Sequence, residues 1–158
     1  MAPSVRDETA RLLAARGLSE AELRLRLTAR GFPDLEVEEA VREALNARWL
    51  DDAALAREVL RAGAARGRGK ERLLQQVGAR GIAPEVGEAV WEALVASGEV
   101  EPDETLATEV ARRVHAEGGT LTGKAAARVY NALLRAGHDP DSIRSALAPF
   151  IGEDHDLP

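Results

Sequence analysis

Apolar residues recur along this chain at spacings of three and four, and the same arrangement comes back three times. The stretch Leu18–Phe32 lies on Arg68–Ile82 when Gly31 is set on Gly81. Leu23 then pairs with Leu73, Leu27 with Val77, Ala29 with Ala79 and Arg30 with Arg80. Set on Gly137, a third copy brings Val129, Leu133 and Leu134 to the same scale. Downstream, Val37, Val41 and Leu45 follow Gly31 at +6, +10 and +14, and Ile143, Leu147 and Ile151 follow Gly137 at those offsets. The middle copy reads as one residue shorter, with Val86, Val90 and Leu94 at +5, +9 and +13. Apolar positions at this period predict amphipathic helices with one face in a core.

Local signals bound those helices. Gly31, Gly81 and Gly137 each stop a helix, because glycine enters the left-handed cap without a Cβ clash. Pro33, Pro84 and Pro140 then open the next helix, where a proline near the first turn is tolerated. A further helix precedes each pair, over about Arg6–Arg16, Asp52–Arg66 and Asp103–Glu117, with Asp52 and Asp103 expected as N-caps. Ser19 and Glu22 have the spacing of a capping box. The period is about 50 residues, with three helices in each copy and about nine in all. The expected fold is all-α, an elongated tandem array of three-helix repeats over 1–51, 52–101 and 102–151, closed by an acidic tail over 152–158 that should fray. A unit this small has too little core to stand alone, so the copies should stack in line.

Composition supports the helical reading. Ala and Leu supply 50 of the 158 residues, Val and Ile only 15, and the aromatics number five. Strong helix formers at that excess over β-branched and aromatic residues argue against a sheet. There are no cysteines, which excludes disulfides, thiol catalysis and Cys-ligated metal, and suits a reducing compartment. No apolar run approaches a membrane span, and Met1–Arg16 lacks the apolar segment of a signal peptide. The expectation is a soluble cytoplasmic monomer. A net charge of −6 weighs against a protein that simply coats bare nucleic acid.

Candidate chemistry is sparse. Gly118-Gly-Thr-Leu-Thr-Gly123-Lys124 matches part of a phosphate-binding loop, but Ala125 stands where magnesium needs a hydroxyl and the preceding residues read as helix. It is expected to be a flexible link. His115, His138 and His155 share no ligand spacing. The carboxylate pairs Glu38-Glu39 and Asp51-Asp52 sit at helix starts or on solvent faces, where they favour the helix dipole. Neither catalysis, nor a metal, nor a cofactor is expected.

One stretch stands out by charge. Between Arg57 and Arg80 lie Arg57, Arg61, Arg66, Arg68, Lys70, Arg72 and Arg80 against Glu58 and Glu71, a local +5 in an acidic chain. Arg57 and Arg61 fall on the face away from Leu55 and Val59. The stretch reads either as a docking surface for phosphate or an acidic protein groove, or as a solvated face in an arginine-rich chain. Arg30 and Arg80 fall in last helical turns, where a cation favours the dipole. Trp91 points about 120° from the centre of the Val86, Ala89, Val90, Ala93 and Leu94 stripe, opposite Arg42 and Ala148 in the other copies. It therefore reads as a filler between copies or as a partner-binding anchor. Trp49 is expected to pack the junction between the first two copies.

The segment Arg11–Leu27, then Trp49-Leu-Asp-Asp52, then Gly69–Ile82, taken in that order, resembles the RecX family of bacterial regulatory proteins. The resemblance covers nearly the whole chain. It departs at Arg48, where the family often has glycine, and weakens in the third copy. It implies a modulator and not an enzyme: RecX proteins bind the RecA recombinase filament on DNA along its groove and inhibit its ATPase and strand exchange. On that reading DNA is reached through the filament and bound weakly alone, and the contact residues are Arg57, Arg61, Arg66, Arg68, Lys70, Arg72 and Trp91. The alternative is a helical-repeat adaptor or DNA-binding scaffold without a recombinase partner.

Overall fold

The computed structural model describes residues 1–152 and 157. Among them are nine α-helices: α1 Val5–Ala15, α2 Glu20–Ala29, α3 Asp34–Asn46, α4 Asp52–Ala65, α5 Lys70–Ala79, α6 Pro84–Ala96, α7 Pro102–Ala116, α8 Gly123–Arg135 and α9 Pro140–Leu147. A short 3-10 turn, Ala148–Phe150, follows. The one β-type pairing among the described residues is an isolated bridge between Leu121 and Ile151. The fold is therefore all-α, three three-helix repeats in tandem. The acidic tail expected over 152–158 lies largely outside the described residues.

Four of the nine described helix starts carry a side-chain cap. Ser4 with Asp7, and Ser19 with Glu22, close reciprocal capping boxes on α1 and α2, and Asp139 accepts the Ser142 amide at 2.9 Å on α9. Pro84, Pro102 and Pro140 occupy first-turn positions, where the missing N–H has no partner to lose. Of two expected caps, one moves by a residue and the other does not form. Asp51, not Asp52, caps α4 by accepting the Ala54 amide at 3.0 Å. Glu101 precedes α7, and Asp103 lies inside its first turn. The helix stops are as expected, with Gly31, Gly81 and Gly137 at φ 86°, 75° and 94°.

Three apolar clusters form the interior, one within each trio of helices. The first gathers Leu12, Leu23, Leu27 and Val41. Leu60, Leu73, Val77, Trp91 and Leu94 make the second, and Leu106, Val110, Leu133, Ile143 and Leu147 the third. Each buried leucine contributes roughly 1.5–3 kcal/mol of transfer free energy.

The middle repeat is not a residue shorter. Helix α6 begins three residues after Gly81, as α3 does after Gly31. Its buried positions are Gly87, Trp91 and Leu94, which correspond to Val37, Val41 and Ala44 in α3 and, for the first two, to Ile143 and Leu147 in α9. Trp91 therefore stands where the other repeats place Val41 and Leu147. Gly87 lets α6 close on α5: a β-carbon there would already touch Leu74 and Val77 at 3.3 Å. Leu45, expected in the core, sits at its edge, and Ala44 takes the buried place. The link before α8 is anchored at its middle, where Leu121 is fully buried and its amide donates to the Phe150 carbonyl at 2.8 Å.

Candidate functional site

Adjacent repeats meet through the same pieces. The turn between the second and third helices of one repeat docks on the start of the second helix in the repeat before it. At the joint between repeats one and two, the Ser19 hydroxyl, which caps α2, donates to the Arg80 carbonyl. The Arg80 guanidinium donates to both carboxylate oxygens of Glu22, at 2.9 and 2.8 Å, and to the Gly17 carbonyl at 2.8 Å. That two-pronged bond holds the Glu22 carboxyl below its ordinary pKa and raises that of Arg80. Asp52 adds a bond across the same joint, accepting the Glu20 amide at 2.9 Å. Burial pushes the Asp52 carboxyl up, and that amide opposes the shift.

At the joint between repeats two and three the corresponding atoms meet with different chemistry. The Gly69 amide donates to the Ala136 carbonyl at 2.8 Å, and the Glu71 amide to the Gly137 carbonyl at 3.2 Å. His138 Nε2 donates to the Gly67 carbonyl at 2.7 Å, the counterpart of the Gly17 carbonyl that Arg80 uses. Backbone meets backbone so closely that a β-carbon on Gly69 would overlap the Gly137 carbonyl, and one on Gly137 would overlap the Arg72 amide. The amides of this glycine-rich basic loop are thus taken, those of Arg66, Gly67 and Arg68 by carbonyls at the end of α4 and those of Gly69 and Glu71 by the third repeat, and do not cradle a phosphate.

The basic stretch divides when its side chains are placed. Arg57 pairs with Glu99, and Arg61 reaches the same carboxylate at 3.6 Å. Lys70 pairs with Glu88 at 2.9 Å, and Arg68 donates to the Gln76 amide oxygen at 3.3 Å. Arg66 and Arg72 are exposed and have no ion-pair partner among the described residues. Acids distant in sequence therefore offset much of the local charge.

Arg57, Arg61 and Arg66 line one wall of an open groove of about 1050 Å³ between α4 and α7. Glu101, Glu104 and Glu109 line the facing wall, with alanines, glycines and threonines on its floor. Glu109 is buried there, bonded to Arg112 at 2.6 Å and Arg113 at 2.9 Å, and the Arg112 bond foremost holds its carboxyl below the ordinary range. With Glu58 on α4, Glu99 on the connector and Arg112 on α7 also lining it, arginines lead on the α4 wall and carboxylates on the connector and α7. Among the described residues no group of His, Asp and Glu is placed to hold a metal ion, and no helix is long and apolar enough to cross a membrane.

The two tryptophans exchange the places expected of one of them. Trp91 is 6 % exposed, packed in the middle core. It also floors a cavity of about 190 Å³ at the seam, beside Pro102, Leu106 and His138. It is thus a core residue of the middle repeat whose edge reaches the seam, and not simply a filler between copies. Trp49, expected to pack a junction, is 56 % exposed, and Leu50 goes inside in its stead. The helix stop explains the exchange. Arg48 takes φ 57°, its amide donates to the Leu45 carbonyl at 3.1 Å and that of Trp49 to the Ala44 carbonyl at 2.8 Å. This Schellman turn reverses the chain and leaves Leu50 facing the core. One signal in the sequence marks the position as outward: Trp49 corresponds to Glu99 in the middle repeat, a charged residue where burial would forbid one.

No family model matches the chain. It is 31 % identical over 144 residues to the regulatory protein RecX of Chromohalobacter salexigens, spanning 90 % of each chain. With the regulatory protein RecX of Stenotrophomonas maltophilia it shares 32 % over 135 residues, which is 85 % of this chain and 80 % of that one. The crystal structure of RecX from Lactobacillus salivarius superposes with a TM-score of 0.77 at 13 % identity, covering 92 % of this chain and 94 % of that one. A second RecX crystal structure gives 0.71 at 15 %, covering 89 % and 70 %. At those identities the solved structures speak for the fold.

Proposed function

Because the chain belongs to the RecX family of regulatory proteins, we propose that it binds the RecA recombinase filament on DNA and lowers its ATPase and strand exchange. It acts in the cytoplasm as a modulator, without catalysis or a cofactor of its own. The observation that carries the reading of the contact is the groove between α4 and α7, with Arg57, Arg61 and Arg66 along its repeat-two wall. Arg68 and Arg72 lie in the same basic stretch, just before and inside the first turn of α5. Arg66 and Arg72, which have no acid to satisfy them among the described residues, supply the stronger attraction. Arg57 and Arg61 would exchange Glu99 for an acidic group of the filament, at a desolvation cost that weakens their share.

DNA is contacted through the filament, since a net charge of −6 opposes binding to the bare polymer. Trp91 supports the surface from below and leaves direct contact to the cations. Recombinase ATPase on single-stranded DNA tests the proposal. The wild type should inhibit, with potency falling steeply as salt screens the contact. Reversing Arg66, Arg68 and Arg72 to Glu should abolish inhibition with helicity unchanged. Full inhibition by that folded variant would remove the basic surface from the mechanism, and no inhibition by the wild type would remove the recombinase.

A further inference from the structure

The cavity at the seam between repeats two and three holds about 190 Å³. An apolar cavity of about 150 Å³ takes one benzene ring, whereas sites for whole small-molecule ligands start near about 300 Å³. The space is thus on the scale of a single aromatic side chain. Its apolar lining suits a ring, with the Trp91 indole at the floor and Pro102 and Leu106 beside it. Trp91 lies beneath the surface, and this cavity is where a group from outside can meet its ring.

The buried polar group of the lining is His138, 6 % exposed. A carbonyl only accepts, so the 2.7 Å bond to the Gly67 carbonyl puts the ring proton on Nε2. Nδ1 of the neutral ring is then an acceptor. It has no hydrogen-bond partner among the described residues. Nor is it sealed from solvent, since none of their buried side-chain nitrogens or oxygens lacks a partner. Nε2 serves the joint, and Nδ1 serves nothing in it. The first joint has Ile82 at this position, 2 % exposed, so burial there does not demand a ring nitrogen. Arg68 and Lys70 are matched by Asp103 and Asp139 in the lining. Lys70 also pairs with Glu88, and Asp139 accepts the Ser142 amide. A charged occupant gains nothing from that balance.

We propose that the seam cavity is an anchor site for a tyrosine side chain of a partner protein, its ring against Trp91 and its hydroxyl donating to His138 Nδ1. An aromatic side chain in a desolvated pocket commonly dominates a protein interface, and contact between rings adds to the area buried. Phenylalanine fills the same space but strips water from Nδ1 without returning a bond. Arg68 and Lys70 place the site within the basic stretch, beside the cationic contacts proposed above. The inference rests on the recombinase reading only for the identity of that partner.

Free side-chain analogues test it on the unaltered chain, read by nuclear magnetic resonance of the indoles and the His138 ring. p-Cresol, the tyrosine side chain, should shift the Trp91 and His138 signals saturably and leave those of Trp49 in place. It should bind about tenfold or more tightly than toluene, the phenylalanine side chain, which leaves the acceptor unsatisfied. His138→Leu, which copies the apolar residue of the first joint, should bind the two alike. No shift with p-cresol, or equal affinity for toluene, overturns the inference without recourse to any variant. A folded His138→Leu chain that keeps the preference overturns it too, and tighter binding of 3-methylindole overturns the choice of tyrosine. With the cavity saturated by p-cresol, affinity for the recombinase filament should fall about tenfold or more. Unchanged affinity overturns the partner side chain in favour of a free phenol, whereas a wild type that binds no filament overturns the recombinase reading alone.

Discussion

Replacing Arg48 with glycine should make this protein more stable, although it deletes a side chain and creates no contact. Arg48 is the one described non-glycine residue at positive φ, 57°. An L-residue in that region is strained by about 1–2 kcal/mol, because its β-carbon crowds the following carbonyl. No ion pair among the described residues is lost with the side chain. Against the relief stands the freedom glycine gives the unfolded chain, about 0.4–1 kcal/mol. The balance is a gain of about 0.5–1 kcal/mol, a rise in melting temperature of about 1–4 °C for a chain of this size. The middle repeat supplies the mirror experiment. Gly98 holds the same turn at φ 74°, with nothing near a β-carbon placed there, so Gly98→Ala adds strain without a clash and should lose a similar amount. Denaturant and thermal melts followed by circular dichroism measure both. A melting temperature unchanged or lowered by Arg48→Gly, together with a neutral Gly98→Ala, would refute the assignment of strain to this turn.

Three other outcomes follow from the joints and the core. Gly137→Ala should cost at least 2 kcal/mol more than Gly31→Ala, since both strain a left-handed turn but only the first drives a β-carbon into the Arg72 backbone; equal losses in paired denaturant melts would mean that the second joint carries no stability. Glu22, whose folded pKa is depressed by Arg80, stabilises fully above its ordinary pKa, and its contribution drains as pH falls through the lowered value. Wild type should therefore lose stability more steeply than Glu22→Gln on acidification below the ordinary carboxylate range, and parallel pH profiles would dismiss the ion pair. Trp91→Ala should destabilise the chain by about 3–5 kcal/mol as a core truncation, and a variant that melts like wild type would place the indole outside the core.

The sequence shows what depends on side chains at regular spacing and hides what depends on their absence. Gly31, Gly81 and Gly137 mark the three turns, because a left-handed stop asks for one residue type. Gly87 conceals the register of α6: with no side chain at the place of Val37 and Ile143, the apolar pattern locks one residue early on Val86 and Val90. Trp91 then looks misplaced when it occupies the site of Val41 and Leu147. The second joint is equally silent, since the Gly69 amide and the carbonyls of Ala136 and Gly137 carry no side-chain signature. Charge misleads by distance. The partners of Arg57, Lys70 and Arg80 are Glu99, Glu88 and Glu22, and counting along the segment omits all three. The α4 cap falls on Asp51 and not on Asp52 because adjacent acids compete for one position and only backbone geometry chooses between them, while α7 starts after Glu101 with no side-chain cap.

Built this way, the molecule has two kinds of strength under tension. Each joint is held by a handful of hydrogen bonds about one docked turn, whereas each repeat is held by its own apolar cluster. Under a load between the ends the docked turns should give before any core opens, because each is held by few hydrogen bonds near solvent whereas each cluster is buried. A small slip of a docked turn on its helix start would change the angle between neighbouring repeats while leaving both cores closed.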